Sequence, residues 1–236
     1  MPVVLRTVTA TRYVTPLREG GSLPGIVEAD DDGLYVLKFH GAGQGPKALA
    51  AEIVAGELAR DLGLPVPELV LIELDPALGN AEPDPEIQEL IAASAGINLG
   101  VDFLPGSLPY NPEQPPDPEL AANVVWLDSL VTNVDRTPRN PNLLRWHGNL
   151  WLIDHGASLY AFHGPDPVSK ARNPFPPIRD HVLLPAAGSI AEADARLAAN
   201  ADPQTASALV PADWADGEQY GEFLTRRLEA PRDWLP

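Results

Sequence analysis

The stretch TNVDRTPRNPNLL (Thr132–Leu144), followed shortly by WLIDHGAS (Trp151–Ser158), decides how the rest of the chain is interpreted. Asp135 and Asn140 are five residues apart in a loop with two prolines, which can turn both side chains toward one point. Asp154 ends an apolar strand, and a glycine two residues later allows a sharp turn. Phosphoryl transfer needs a carboxylate for the acceptor hydroxyl, and an amide oxygen with a second carboxylate for magnesium. The pattern therefore predicts a phosphotransferase site.

The same loop leaves several alternatives open. Asp and Asn also stabilise ordinary turns, so the three polar residues on their own are compatible with a purely structural loop. Asn142 competes with Asn140 as the amide ligand. Arg136 and Arg139 either contact a phosphate or the charge of the acceptor, or pair with surface carboxylates that contribute little energy.

A single lysine lies upstream in an apolar strand, LYVLKF (Leu34–Phe39). An uncompensated ammonium group is costly in such a setting, so Lys38 needs anionic partners. The helix that follows offers Glu52 and Glu57. Taken alone, Lys38 favours an edge strand, from which its ammonium group would reach water.

Residues 1–104 are predicted to form a small lobe rich in β-structure. Alternating and β-branched residues indicate one strand within 3–14 and two strands within 25–40, which together form an antiparallel sheet. Residues 46–63 show helical spacing, with proline near the start and glycine just past the end. Residues 68–74 alternate again and return the chain to the sheet.

The rest of the chain is predicted to be mainly helical. A short acidic helix, PEIQELIAASA, precedes a proline-dense connector, LPGSLPYNPEQPPDP, near which we expect a lobe boundary at about residue 105. NLLRWHGNLWLIDHG predicts a hairpin that turns at His147, Gly148 and Asn149. Helices are predicted over residues 118–134, 191–200 and 218–228. The fold class is therefore α+β.

Composition excludes several classes of function. The chain has 236 residues, a formal net charge of −17 and no cysteine. The charge disfavours nucleic acid as a partner, and the lack of cysteine removes disulfides, thiolate metal sites and a cysteine nucleophile. No stretch approaches the roughly 20 apolar residues of a membrane span, and no histidine spacing is typical of zinc. We expect a cytoplasmic protein without a membrane or nucleic-acid partner.

Together these motifs resemble the HipA-like kinases, a branch of the protein-kinase-like superfamily. The catalytic loop of that family, Asp with Asn five residues later, corresponds to Asp135 and Asn140, and its metal-binding Asp before Gly corresponds to Asp154. His155 departs from the Phe found at this place in most protein kinases. The resemblance implies a bilobal fold: a small antiparallel β-rich N-lobe with one central helix (1–104) and a mainly helical C-lobe (105–236).

The resemblance also implies a role for each residue. With ATP and Mg²⁺ as cofactors, Asp135 would orient the acceptor, while Asn140 and Asp154 would bind the metal. Lys38 would act in catalysis by contacting the nucleotide phosphates, with Glu52 as its partner and Glu57 as the alternative. The glycine-rich segment over the phosphates would be formed by Gly20, Gly21 and Ser22.

The acceptor of the phosphoryl group is the least constrained part of this prediction. A serine or threonine hydroxyl of a protein is favoured. The alternatives are a small-molecule kinase, a pseudokinase or nucleotide-binding partner protein that transfers nothing, and an acidic scaffold that binds a basic partner protein.

Overall fold

The computed structural model describes residues 4–17 and 23–236, and it divides into two compact units. The first unit consists of Met1–Leu49 and Pro67–Pro105, and the second of Ala50–Val66 and Gly106–Pro236. Among the described residues, no helix combines the length and the apolar character that crossing a bilayer requires.

Five strands of the first unit form a closed barrel in the order β1-β2-β3-β5-β4. Their bounds are β1 (Thr7–Pro16), β2 (Gly25–Ala29), β3 (Leu34–Lys38), β4 (Leu69–Leu74) and β5 (Gly96–Asp102). In β2 and β3 every second residue is buried, because successive side chains of a strand point to opposite faces of the sheet. The predicted order of strand, strand, strand, helix and strand is confirmed for the first four strands.

The predicted antiparallel sheet differs from the observed one in two respects. β1 pairs in parallel with β4, with Thr7 opposite Leu71, and this pairing closes the barrel. β5 was not predicted, because its sequence GINLGVD contains two glycines, which weaken a strand pattern. A Cβ atom at Gly100 would lie 2.4 Å from Cδ1 of Ile72 and 2.8 Å from Cγ2 of Val70. Glycine is therefore the residue that leaves room for the apolar side chains of β4.

Among the described residues of the range 1–104 there are two α-helices, α1 (Pro46–Asp61) and α2 (Pro85–Ala93). Gly63 ends α1 in a left-handed conformation with φ of 76°, and the N–H of Leu64 donates to the carbonyl of Ala59 at 2.9 Å. Both predicted helices are confirmed. The description of this part as having one central helix is too simple, since Ile87 and Ile91 of α2 are buried in the same core as the barrel strands.

The second unit is mainly helical, as predicted, and also contains a three-stranded sheet in the order β6-β7-β8. It includes residues 50–61 of α1. Its other elements are β6 (Leu108–Pro109), α3 (Pro118–Leu130), β7 (Leu143–Trp146), β8 (Asn149–Leu152), α4 (Ile190–Leu197), α5 (Pro203–Ser207) and α6 (Gly217–Leu228). Trp146 pairs with Asn149 across a two-residue turn in which His147 and Gly148 both have positive φ, 48° and 80°. Such a turn matches the twist of a hairpin, so the predicted hairpin is confirmed.

A buried arginine of α6 holds the C-terminal end of α3. Arg227 donates to the carbonyl oxygens of Ser129 and Leu130, both at 2.8 Å, and to that of Ala171 at 2.8 Å. The last carbonyls of a helix have no partner within the helix, so these bonds satisfy groups that burial would otherwise leave unpaired. Burial lowers the pKa of the Arg227 guanidinium to about 9, which leaves it protonated at neutral pH. The start of the loop after α3 is thereby fixed.

Candidate active site

Two amide side chains converge on the carboxylate of Asp135. Its Oδ2 accepts from Nδ2 of Asn140 at 2.7 Å and from Nδ2 of Asn142 at 3.2 Å. An ionised carboxylate only accepts hydrogen bonds, so both amides must direct their nitrogen toward it. The amide oxygens of Asn140 and Asn142 are therefore left to face another group.

A tight turn explains the spacing of five between Asp135 and Asn140. Thr137 and Asn140 exchange two backbone hydrogen bonds, each of 3.1 Å, around a turn with Pro138 in its second position. Proline suits this position because its fixed φ matches the turn. The turn returns Asn140 to the side chain of Asp135.

Beneath this loop lies a buried carboxylate, Asp128 of α3. It accepts from Nε of Arg136 at 2.5 Å, from Nε2 of His181 at 2.9 Å and from Nδ2 of Asn133 at 3.1 Å. Nδ1 of His181 accepts the N–H of Leu183 at 3.1 Å, so the proton of the imidazole is on Nε2. Burial by itself would raise the pKa of Asp128, but the charge of Arg136 and the hydrogen bond from His181 outweigh it and hold this pKa well below its usual range.

Asp128 is connected to the loop of the candidate site through two partners. Oδ1 of Asn133 accepts the backbone N–H of Asp135 at 3.0 Å. Nη1 of Arg136 donates to the carbonyl of Asn142 and, at 3.3 Å, to that of Ile153. One buried carboxylate thus positions both ends of the loop and the residue before Asp154.

Asp154 follows directly after this connection. It is exposed and has a φ of 54°, a left-handed conformation that Asp adopts more readily than most residues. The N–H of Ile153 donates to the carbonyl of Asn142 at 3.1 Å, which joins this segment to the loop. His155 is buried, as expected for a packed residue, and its Nδ1 accepts from Nη2 of Arg136 at 3.3 Å.

The contacts between the residues predicted to bind the nucleotide stay predictions. Lys38 is the last residue of β3, is half-buried and pairs through its backbone with Leu99 of β5. Glu52 is buried in α1 and belongs to the second unit, whereas Lys38 belongs to the first. Their pairing stays a prediction, as does the alternative with Glu57. Three further predicted residues lie outside the described part of the chain: Gly20, Gly21 and Ser22.

The donor set fits a hard cation that is shared with a substrate. Within residues 4–17 and 23–236, no group of three or more His, Asp or Glu side chains is arranged to hold a metal. The candidate ligands are instead the carboxylate of Asp154 and the amide oxygen of Asn140 or Asn142. Mg²⁺ is commonly bound by one or two protein oxygens together with substrate phosphates, so a sparse set of this kind suits it.

Sequence reasoning missed the buried network. Arg136 forms a buried ion pair, where the sequence predicted either a phosphate contact or a surface pair. A signal was present, because Asp128 is the single charged residue in the apolar run VVWLDSLV. A carboxylate in that setting requires a cationic partner, by the same reasoning that applies to Lys38.

Comparisons with known proteins give a family and solved structures of similar fold. The family model described as HipA-like kinase matches residues 11–170, more than half of the chain. No curated protein sequence is significantly similar to this chain. Among solved structures, the Helicobacter pylori proinflammatory kinase CtkA is similar in fold, with a TM-score of 0.55 and 13% identity over 97% of this chain and 95% of CtkA. The Golgi casein kinase with Mn and ADP bound has a TM-score of 0.50 and 13% identity over 95% of this chain and 71% of that one.

Proposed function

Because this chain belongs to the HipA-like kinase family and is therefore a phosphotransferase, we propose that it transfers the γ-phosphoryl group of ATP to a serine or threonine hydroxyl of a protein. The observation that carries the proposal is the pair of amide groups on Oδ2 of Asp135. The two amides orient the carboxylate of Asp135 through their nitrogens, and this arrangement leaves their oxygens available to a cation.

Asp135 is assigned to the acceptor hydroxyl. Its Oδ2 holds the two amides, and Oδ1 accepts the hydrogen bond of the hydroxyl. The hydroxyl oxygen forms a bond to the γ-phosphorus while the bond between this phosphorus and the β–γ bridging oxygen breaks, and the hydroxyl proton passes to Asp135. The products are a phosphorylated side chain and ADP.

The metal and the nucleotide phosphates are assigned to four side chains. Asp154 and Asn140 would hold Mg²⁺, with Asn142 as the alternative amide; when bound, the cation neutralises phosphate charge that develops during transfer. Lys38 is assigned to the nucleotide phosphates, with Glu52 as the partner that orients it, and the segment with Gly20, Gly21 and Ser22 is also assigned to the phosphates. The Mn and ADP in the Golgi casein kinase, whose fold is similar, support a divalent cation and an adenine nucleotide.

The same proposal includes the division of the chain. Residues 1–104 and 105–236 would be the N-lobe and the C-lobe of one protein-kinase-like domain. The reaction is placed in the cytoplasm, which suits a chain without cysteine.

The test is transfer of label from γ-labelled ATP with Mg²⁺, to the protein itself and to cell lysate. Asp135→Asn and Asp154→Asn keep the shape of each side chain, and Asn also tolerates the left-handed backbone at residue 154. We expect the transfer rate of each variant to fall by roughly 10²–10⁴-fold. The label transferred by the wild-type protein should be on serine or threonine.

Asp166→Asn is the matched control. Asp166 is also exposed and also has a positive φ, 49°, so the same substitution there tests the loss of a charge in the same backbone conformation. Its transfer rate should stay within about twofold of wild type. Retention of more than about a tenth of the rate in either site variant would refute the assignment. Binding of ATP in a thermal-shift assay without any transfer would instead favour a nucleotide-binding protein.

A further inference from the structure

An open cavity of about 890 Å³ lies in the second unit, next to the loop of the candidate site. One wall is formed by residues 137–139, which belong to the turn that returns Asn140 to Asp135. The other wall comes from the segment 179–185. The cavity is therefore bounded by the same loop that carries the residue assigned to the acceptor hydroxyl.

The two arginines in this cavity differ from the others in the described part of the chain. The side chains of Arg139 and Arg179 are exposed and form no hydrogen bond, ion pair or ring contact there. Every other arginine within the described ranges donates to a carboxylate or to a backbone carbonyl. In a chain of net charge −17, where carboxylates are abundant, two unpaired guanidinium groups on one cavity are notable.

The remaining charged groups of the cavity leave it with a positive balance. Asp180 contributes one carboxylate, which offsets one of the two guanidinium groups. His181 contributes no free donor, since Nε2 faces Asp128 and Nδ1 accepts from Leu183. The cavity thus presents one uncompensated positive charge and two planar groups suited to carboxylate or phosphate oxygens.

Both walls are held in place by the buried network. The N–H of Val182 donates to the carbonyl of Arg136 at 3.0 Å, and His181 binds Asp128 at 2.9 Å. Arg139 follows Pro138 in a turn closed by two hydrogen bonds. The separation of the backbones that carry the two arginines is therefore set before any ligand binds, which lowers the entropy cost of binding.

We infer that this cavity binds an anionic side chain of the acceptor polypeptide, an inference that rests on the proposed function. The side chain is that of an aspartate, a glutamate or a phosphorylated residue close to the reactive hydroxyl. Arg139 and Asp135 share one short loop, so an acceptor hydroxyl at Asp135 places the neighbouring residues of its chain within reach of the cavity. The net negative charge of the whole chain does not prevent this, because exposed charges are largely screened beyond about 8 Å at physiological salt.

The probe is a set of peptides with one central serine, in which a single flanking position carries Glu, Asp, phosphoserine, Ala or Lys in turn. We expect wild-type protein to phosphorylate the anionic peptides with a kcat/KM on the order of tenfold above the Ala peptide at one position, the size of one charge-assisted hydrogen bond. Comparison of Glu with phosphoserine identifies the anion. In the double variant with Arg139→Gln and Arg179→Gln, the ratio of kcat/KM for the anionic peptides to that for the Ala peptide should fall to about one. The single variant Arg179→Glu should shift the preference toward the Lys peptide.

Arg226→Gln is the control, since Arg226 is an exposed arginine of the same unit that pairs with Glu222 away from the cavity. The ratio of anionic to Ala peptide should be unchanged there. A wild-type ratio near one, or a preference that survives in the double variant, overturns the inference while leaving the kinase assignment intact.

Binding of the same peptides, measured by fluorescence anisotropy with Asp154→Asn, separates the two proposals. Anionic preference that depends on the two arginines, without transfer by wild-type protein, would refute the proposed kinase reaction and support the cavity assignment. Equal binding of anionic and Ala peptides by this variant would overturn the cavity assignment.

Discussion

Arg136 donates from Nε to Oδ2 of Asp128 at 2.5 Å, and both side chains are completely buried. A buried charge is tolerated only when it is paired and its remaining hydrogen-bonding groups are satisfied. Asp128 also binds Asn133, whose side chain accepts the backbone N–H of Asp135. Arg136 also donates to the carbonyl of Ile153. The pair therefore acts on the candidate site through other residues, and Asp128 is a positioning residue.

Removing the charge of Asp128 should destabilise the protein strongly. We expect Asp128→Asn to lower the free energy of unfolding by about 3–5 kcal/mol in urea, because Arg136 is left buried without its counterion. Glu222→Gln, which breaks an exposed pair with Arg226, is the control and should change it by less than about 0.5 kcal/mol. A change below about 1 kcal/mol in Asp128→Asn would contradict the proposed importance of the pair.

The low pKa of Asp128 also predicts an acid dependence of stability. In the unfolded chain the pKa of an aspartate is about 3.9, whereas in the folded protein that of Asp128 is lower. Its contribution is therefore complete above about pH 5 and is lost as the pH falls through the folded pKa. The difference in unfolding free energy between wild type and Asp128→Asn, measured from pH 7 to pH 3, should be constant down to about pH 5 and then shrink. A difference that grows toward acid pH would have the wrong sign.

The two amides on Asp135 can be separated as metal ligands. Asn140→Ala removes the amide at 2.7 Å, and Asn142→Gly removes that at 3.2 Å while glycine retains the φ of 49° at residue 142. We expect the Mg²⁺ concentration for half-maximal ATP binding to rise by about tenfold or more in Asn140→Ala, and by less in Asn142→Gly. The reverse order in a titration of ATP binding with Mg²⁺ would assign the metal to Asn142.

Arg226 and Arg227 are adjacent in α6 and allow the effect of a buried and an exposed arginine on stability to be compared. Arg227 is 2% exposed and donates to four backbone carbonyls, whereas Arg226 lies on the surface. Arg227→Met leaves those carbonyls unsatisfied and should lower the free energy of unfolding by about 3 kcal/mol or more. Arg226→Met should stay within about 0.5 kcal/mol of wild type in the same urea titration. Similar effects of both substitutions would rule out a special role for Arg227.

Gly100 lies so close to the side chains of β4 that a larger residue there should destabilise the protein. Gly100→Ala brings a methyl group against Ile72, so we expect a loss of about 1–3 kcal/mol from overpacking. Ile72→Val deletes Cδ1, the nearest atom, and should cost about 0.5–1.5 kcal/mol alone. The double variant should be more stable than the sum of the two losses predicts, because the deleted atom is the nearest of the atoms that clash. Strict additivity in thermal or urea unfolding would contradict the clash.

Most of the secondary structure could be predicted from the sequence, because its signals are local. Pro46 and Gly63 mark the ends of α1, and the turn at His147 and Gly148 marks the hairpin. β5 could not be predicted, since the two glycines that weaken its pattern have different reasons. Gly100 leaves room for Ile72 of another strand, and Gly96 has a φ of 97°. The parallel pairing of β1 with β4 was equally hidden, because it joins residues that are distant in the chain.

By itself the sequence determined the residue types of the candidate site and the spacing of Asp135 and Asn140, because one short turn brings these two together. Only the tertiary structure decided that Arg136 is buried on Asp128, that His181 joins them from 53 residues away, and that Arg139 and Arg179 share a cavity. A turn follows from the conformational preferences of a few neighbouring residues. The partner of a buried charge, in contrast, is selected by the whole fold, because any distant segment that packs there can supply it.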